Sequence, residues 1–146
     1  MNAAAGMPSS EPPSLSFALL VLRLACALPF LYHGCAILFG FFGGPGPVSF
    51  AAFMHQPPAV GYLVGLAQLT GGLAILTGVF LRVGAICVII VMLGAIFLVH
   101  LPHGFDINRG GLELALTELL LAFGLILSGP GACSLGKVLP APLRKL

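Results

Sequence analysis

Five side chains that could bind a polar group stand in long apolar stretches of the chain: Arg23, His33, Gln68, His100 and Glu113. Imidazole and carboxyl groups exchange protons, and an amide group both donates and accepts hydrogen bonds. A polar or charged group in apolar surroundings costs several kcal/mol unless it is paired or neutralised. We therefore expect these side chains to face one another or a water-filled pocket.

The elements that hold these residues are apolar segments long enough to cross a lipid bilayer. Hydrophobic residues make up 59% of the 146 residues, only 7% are charged, and the mean hydropathy is +1.13. A spanning helix needs about 20 apolar residues, so the chain accommodates four spans and no separate soluble domain. The expected fold is all-α, a polytopic membrane protein built as a four-transmembrane-helix bundle with short loops.

Glycine and proline clusters set the limits of these spans. We expect a flexible N-terminal tail at 1–14, a membrane domain at 15–131 and a basic C-terminal tail at 132–146. Within the membrane domain the expected spans are 15–38, 59–81, 83–101 and 112–128, with Arg82 in the tight turn of the middle hairpin and a short interfacial helix at 48–54.

The distribution of cations predicts the orientation in the membrane. One side of the predicted topology has Arg82, Lys137, Arg144 and Lys145, whereas the other has only Arg109. Because cytoplasmic loops are enriched in Lys and Arg, both termini are expected in the cytoplasm. The net charge of +2 is too small and dispersed for a nucleic-acid surface.

Four of the polar residues are expected at a similar depth. Counted at about 1.5 Å per residue, His33, Gln68, His100 and Glu113 lie in the outer half of the membrane on four different helices. They would form one polar layer, in which His33 and Glu113 are the expected pair.

Arg23 lies on the inner half of the first span. It needs an anion, a cluster of carbonyl groups or a route to the cytoplasmic interface, and Glu118 is its candidate partner. Glu113 and Glu118 differ by about 140° around a helix, so one could pair with Arg23 while the other serves the outer layer.

Small residues recur at helical spacing in the second span. Gly61, Gly65, Gln68 and Gly72 would allow a neighbouring helix to approach closely, so this face is expected to point into the bundle.

Metal and haem sites are weaker interpretations of the histidines. His100, His103 and Asp106 have a spacing that could surround a metal, but Pro102 interrupts the helix that would align them. Imidazoles at a membrane boundary that bind backbone carbonyls or water explain them better. Haem ligation by His33 and His100 is a minor alternative. The sequence has no signature of a hydrolase or of a phosphate-binding loop.

Four segments resemble the DoxX family of bacterial membrane proteins. They are residues 22–40 (LRLACALPFLYHGCAILFG), 61–82 (GYLVGLAQLTGGLAILTGVFLR), 91–106 (VMLGAIFLVHLPHGFD) and 110–115 (GGLELA). The resemblance implies a four-helix bundle in the bacterial cytoplasmic membrane and a link to redox metabolism, since relatives are associated with quinone-linked sulfur oxidation and membrane redox complexes. It also implies that the family's polar positions are Arg23, His33, His103, Asp106 and Glu113.

The chain departs from the family pattern at two positions. Ile37 stands where the family has Lys, and Gln68 stands where it has Glu. A cation and an anion are both absent, so neither is left unpaired in the membrane. Chemistry that needs that ion pair is therefore in doubt.

The leading hypothesis is a redox-associated membrane subunit whose polar layer binds a quinone head group. His33, Gln68, His100 and Glu113 could bind the two carbonyls and supply protons, whereas electrons would come from a partner subunit or a bound cofactor. The alternative is a non-catalytic anchor or assembly factor for a redox enzyme complex. A transporter is disfavoured because four short helices form a passage only as an oligomer, and a homo-oligomer remains open.

Overall fold

The computed structural model describes residues 12–138, 140 and 143, and this part of the chain contains helices and turns but no strand. The α-helices are α1 (Pro13–Phe39), α2 (Gly46–Phe53), α3 (Pro58–Thr77), α4 (Leu81–Ala95) and α5 (Glu113–Ser128). The predicted all-α fold is confirmed. Most of the predicted N-terminal tail and about half of the C-terminal tail, including Arg144 and Lys145, lie outside the described residues.

Proline and glycine set the helix limits. Pro13 and Pro58 are the first residues of α1 and α3, where a missing N–H costs no helical hydrogen bond. Gly78 follows α3 with φ of 72° and donates its N–H to the carbonyl of Ala74. Phe80, with φ of 52°, completes the turn before α4. The hairpin turn therefore lies at residues 78–80, and Arg82 belongs to the first turn of α4 rather than to the connection.

Three segments are long and apolar enough to cross a membrane: Pro13–Phe39, Pro58–Thr77 and Leu81–His103. The last segment comprises α4, a π-helical turn at Ile96–His100 and a 3₁₀ turn at Leu101–His103. The fourth predicted span corresponds to α5, whose 16 residues extend about 24 Å, against a hydrocarbon core of about 30 Å. The described residues thus contain an all-helical membrane protein with three clear candidate spans.

The four long helices pack in the order α1, α3, α4 and α5, and α5 returns to α1 through a smaller contact. Small residues allow the closest approach between α1 and α3. A Cβ atom on Gly34 would lie 2.7 Å from the backbone nitrogen of Leu69, and one on Gly65 would lie 2.8 Å from the Leu38 side chain. Gly61, Gly65, Gln68 and Gly72 are all buried, which confirms that their face points into the bundle.

The two halves of the bundle differ in packing. The half nearer the start of α1 and the end of α5 is closely packed around Cys26, Phe30, Ile75, Val88 and Leu125. The other half contains a cavity, over which α2 and the loop before α5 lie. The predicted short helix at 48–54 is observed as α2, whose Ala51 is fully buried. One half of the bundle thus holds an open, partly polar cavity, and the other half holds a closely packed core.

Candidate ligand cavity between the helices

A cavity of about 810 Å³ lies among all five α-helices. Most of its wall is apolar, as at Phe30, Ile37, Val64, Ile90 and Leu114. Sites for small organic ligands have volumes of roughly 300–1,000 Å³, apolar walls and a few polar groups. The cavity therefore has the size and character of a site for an apolar molecule with a small polar head.

Two short elements cover the cavity. From α2 and the turn that follows it come Phe50, Phe53 and Met54, and from the loop before α5 come Ile107 and Gly110. Neither element belongs to the closely packed half of the bundle, so the cavity is bordered on this side by segments with few buried residues.

His33 and His100 both line the cavity, as does Gln68. His33 is exposed, and its ring makes an edge contact with Tyr32 at a centroid distance of 5.3 Å. Three of the five residues predicted to bind a ligand are thereby brought to one cavity, although they lie in three different helical segments.

The other ring contacts of the histidines are to backbone oxygen. His100 Nδ1 donates to the carbonyl of Gly110 at 2.7 Å, and His103 Nδ1 donates to the carbonyl of Val99 at 2.8 Å. The π-helical turn at Ile96–His100 positions the first of these rings toward the loop before α5. The interpretation of these imidazoles as groups that bind backbone carbonyls is confirmed. Within the described ranges, no three His, Cys, Asp or Glu side chains are grouped so as to hold a metal ion.

Gln68 on α3 is 7% exposed, and its Oε1 has no hydrogen-bond partner among the described residues. A buried acceptor without a donor costs about 1–3 kcal/mol. This cost is unusual in a folded protein and draws attention to a polar group that a ligand could satisfy.

Glu118 on α5 is the carboxyl group that lines the cavity. It is 8% exposed, and its carboxyl group lies beside the thiol of Cys26 on α1. Its Oε2 lacks a partner in the described structure. Glu118 thus resembles Gln68: both side chains are more than nine-tenths buried, both line the cavity, and both have one oxygen without a hydrogen bond.

Glu113 does not belong to this group, and its expected pairing with His33 is wrong. It is the first residue of α5, it is exposed, and its Oε2 accepts a hydrogen bond of 3.3 Å from the backbone N–H of Ile107. A carboxylate at the start of a helix is favoured by the unpaired N–H groups there. Glu113 therefore stabilises the loop that enters α5 and lies outside the cavity wall.

Arg23 does not pair with either glutamate. Its side chain is 1% exposed, and its guanidinium donates to backbone carbonyls at 2.8 Å (Ile75), 3.0 Å (Pro130) and 2.7 Å (Cys133), and also to Leu76. The predicted pairing of Arg23 with Glu118 is thus wrong. The alternative prediction, that a cluster of carbonyl groups binds Arg23, is confirmed. Arg23 lies in the closely packed half of the bundle, away from the cavity wall.

The arrangement of Arg23 has a simple physical basis. Ile75 and Leu76 are in the last turn of α3, where carbonyls lack partners within the helix. A cation at a helix C-terminus also interacts favourably with the helix dipole. Pro130 and Cys133 follow α5, so one guanidinium joins the end of α3 to the segment after α5. Arg23 is therefore a structural residue of this half of the bundle.

Comparison with known proteins identifies the family. The model of the DoxX family matches residues 18–101, more than half of the chain. The chain belongs to the DoxX family. An uncharacterized protein of Haemophilus influenzae is 31% identical over 125 residues, with 80% of this chain and 87% of that protein covered. A Bacillus subtilis protein named "Putative oxidoreductase CatD" is 28% identical over 116 residues, with 80% of this chain and 82% of that protein covered. No solved structure gives a significant match.

The matched DoxX segment contains His33, Gln68 and His100 but ends before α5. The glutamate of α5 that lies in the cavity wall with them is Glu118 rather than the expected Glu113, and the sequence contained a signal for its position. Ala115, Glu118, Ala122 and Leu125 recur at three- and four-residue spacing, which marks one helix face, and all four are buried. Cys26 was not expected beside the Glu118 carboxyl group, because a thiol inside an apolar span resembles a small hydrophobic residue.

Proposed function

We propose that this DoxX-family chain is a redox-associated membrane subunit that binds a quinone head group in the cavity. The main support is the cavity itself, which combines an apolar wall with the buried polar side chains of Gln68 and Glu118. The relative whose printed name is "Putative oxidoreductase CatD" supports a redox role for the family.

The residues present fit such a ligand. The apolar wall, which includes Phe30, Val64 and Ile90, would exclude water and contact the ring and the start of the apolar tail. Gln68 would hydrogen-bond one ring oxygen through its amide. A bound quinone supplies two-electron, two-proton chemistry, which no side chain of this protein provides alone.

Protons would move through the carboxyl and imidazole groups around the cavity. Glu118 is buried in the wall, whereas His33 is exposed and His100 is partly exposed. Glu118 would exchange a proton with the ligand, and the two histidines would exchange it with water. Electrons would enter or leave through a partner redox subunit, and a second copy of the chain is a further candidate partner.

The proposed setting is the bacterial cytoplasmic membrane, with four spans and both termini in the cytoplasm. Three helical segments have the length and composition of spans, and α5 packs along α4 as the fourth member of the bundle. Lys137 and Arg82 lie at the end of the bundle that would face the cytoplasm.

The test is to purify the protein from its native membrane in a mild detergent and to quantify bound quinone by mass spectrometry. Wild type is compared with Glu118→Gln and His33→Ala, and Glu113→Gln is the matched control on α5. We expect near-stoichiometric quinone in wild type and in Glu113→Gln, and a several-fold loss in folded Glu118→Gln. Quinone no higher than the lipid background in wild type would refute the proposal and favour a membrane anchor for redox enzymes, to be sought among bound proteins.

A further inference from the structure

Helices α3 and α4 pack closely at one end and border the cavity at the other. A Cβ atom on Gly84 would lie 2.9 Å from the carbonyl oxygen of Gly71, so the two backbones nearly touch there. This close contact lies near the turn at residues 78–80 that joins the two helices. Farther from the turn, Ala67 on α3 and Val91 on α4 both line the cavity. The two helices are thus joined at the packed half of the bundle, and the space of the cavity lies along them in the other half.

The outer edges of this space are apolar and exposed. Leu63 on α3 and Leu98 in the π-helical turn after α4 both line the cavity, and each is 65% exposed. Gly94 lies four residues before Leu98 and also lines the cavity, and a Cβ atom there would meet nothing within 4 Å. We call the opening bordered by Leu63, Ala67, Gly94 and Leu98 the α3–α4 slot. Because both of its sides belong to segments long and apolar enough to cross a membrane, the slot faces the hydrocarbon of the bilayer.

The inner wall of the cavity is polar and buried. Gln68 and Glu118 are only 7% and 8% exposed, and one side-chain oxygen of each has no hydrogen-bond partner among the described residues. Buried polar atoms are almost always paired, so these two side chains mark where the polar group of a ligand lies, whichever partner donates the hydrogen bond. The cavity therefore runs from a buried polar end to an apolar opening toward lipid.

From this arrangement we infer that the ligand enters sideways from the bilayer through the α3–α4 slot and that its apolar tail stays in the slot after the head group has bound. The inference rests on the proposed function, since it gives the route and the tail of the ligand of that same site. The ligand class is then a membrane-soluble molecule with a compact polar head and a long alkyl or isoprenoid tail. A head group without a tail would use only the inner end of the cavity.

Gly94 is the residue that keeps the slot open. Because a Cβ atom there meets nothing within 4 Å, a larger side chain has room to form without displacing the helices, and it would occupy space that the tail needs. Gly94→Leu should therefore hinder the tail while Gln68 and Glu118 still bind a head group. The matched control is Gly124→Leu on α5, where a Cβ atom also meets nothing within 4 Å and which lies outside the cavity wall.

The experiment compares two quinones with the full-length protein reconstituted in phosphatidylcholine nanodiscs. The tail-free probe is tetramethylbenzoquinone, and the tailed probe is trimethylbenzoquinone with a decyl chain; neither has a free ring position that could react with cysteine. Gly94→Leu should bind the tailed probe roughly fivefold more weakly than wild type or worse, because the leucine and the tail would occupy the same space. It should bind the tail-free probe as wild type does, and Gly124→Leu should bind both probes as wild type does.

Three results of these titrations would count against the proposals. Unchanged affinity of folded Gly94→Leu for the tailed probe would overturn the inference, because the tail would then lie elsewhere. Equal loss of both probes in Gly94→Leu would also overturn it, because Gly94 would then border the head group rather than the tail. Binding of neither probe by wild type would refute the proposed function itself.

A second measurement uses wild type alone and so does not depend on the folding of a variant. The tailed probe carries a photoreactive diazirine at the end of its decyl chain, and labelled peptides are assigned by mass spectrometry after irradiation. Labels should fall on the edges of the slot, near Leu63 and Leu98. Labels confined to α1 or α5 would overturn the inference and leave the proposed function in place.

Discussion

The thiol of Cys26 on α1 lies beside the carboxyl group of Glu118 on α5. Cys26 is fully buried in the packed core, whereas Glu118 lines the cavity. This contact thus lies at the boundary between the two halves of the bundle and joins its first helix to its last. The smaller α1–α5 contact therefore contributes to fixing the carboxyl group of the candidate site.

Removal of the Cys26 thiol should release Glu118. In Cys26→Ala the buried carboxyl group of Glu118, whose Oε2 already lacks a partner, loses the neighbouring thiol donor, so we expect the free energy of unfolding to fall by about 1–3 kcal/mol. Cys26→Ser retains a donor and should lose less. Thermal unfolding in detergent, followed by circular dichroism, measures the difference.

Cys87→Ala is the control for Cys26, because Cys87 is a partly buried thiol on α4 and its substitution removes the same atom. It should change the unfolding temperature less than Cys26→Ala. Equal unfolding temperatures for Cys26→Ala and Cys26→Ser would show that a donor beside Glu118 does not contribute to stability.

Substitution of Arg23 should destabilise the packed half of the bundle. Arg23→Met leaves the carbonyls of Ile75, Pro130 and Cys133 without their donor, and each buried carbonyl costs about 1–3 kcal/mol. The protein should unfold at a much lower temperature or fail to fold. Arg23→Lys should rescue only part of the loss, because a compact ammonium cannot reproduce the planar fork of donors.

The control for Arg23 is Arg109→Gln. Arg109 is an exposed cation whose contact with Asp106 is 3.9 Å long, so its removal should leave the unfolding temperature almost unchanged. If Arg23→Met were as stable as Arg109→Gln, the carbonyl cluster would not hold this half of the bundle together.

The sequence predicted the helices well because their limits depend on local chemistry. Pro58 and Gly78 bound α3 through backbone restrictions that act within one turn. The partner of Arg23 could not be predicted in the same way. Its acceptors include the Pro130 and Cys133 carbonyls, more than 100 residues away, and any residue could supply a backbone carbonyl there.

The choice between Glu113 and Glu118 shows a second limit. Depth along a helix was estimated from residue counts, and it placed Glu113 in the outer layer. The rotation of α5 about its own axis decides which glutamate faces the cavity, because Glu118 shares a helix face with the buried Ala115 and Ala122. His33, Gln68 and His100 could thus be predicted to lie together, but the carboxyl group that joins them in the cavity wall required the helix face as well as the depth.

A methyl group added at Gly34 should disrupt the α1–α3 interface. Its Cβ would lie 2.7 Å from the backbone nitrogen of Leu69, and backbone cannot move aside as a side chain can. We expect Gly34→Ala to lower the free energy of unfolding by roughly 1–3 kcal/mol, as over-packing does in other cores. The measurement is again thermal unfolding in detergent.

Gly124→Ala is the matched control on α5, because a Cβ there meets nothing within 4 Å. Alanine has a higher helix propensity than glycine by about 1 kcal/mol, so this variant should be unchanged or slightly more stable. Similar destabilisation by both substitutions would contradict the close helix approach at Gly34.

One native cysteine after α5 and one cysteine introduced before it should report whether this helix crosses the membrane. Cys133 is exposed after the end of α5, and Asn108 is exposed in the loop before it. With four spans and cytoplasmic termini, a membrane-impermeant maleimide should label Cys133 in inverted vesicles but not in intact spheroplasts. An added cysteine, Asn108→Cys, should show the opposite pattern. Peptide mass spectrometry assigns each label to its residue. Labelling of both positions from the same side would mean that α5 does not span the bilayer. Reversed labelling of the two positions would place the termini outside the cytoplasm.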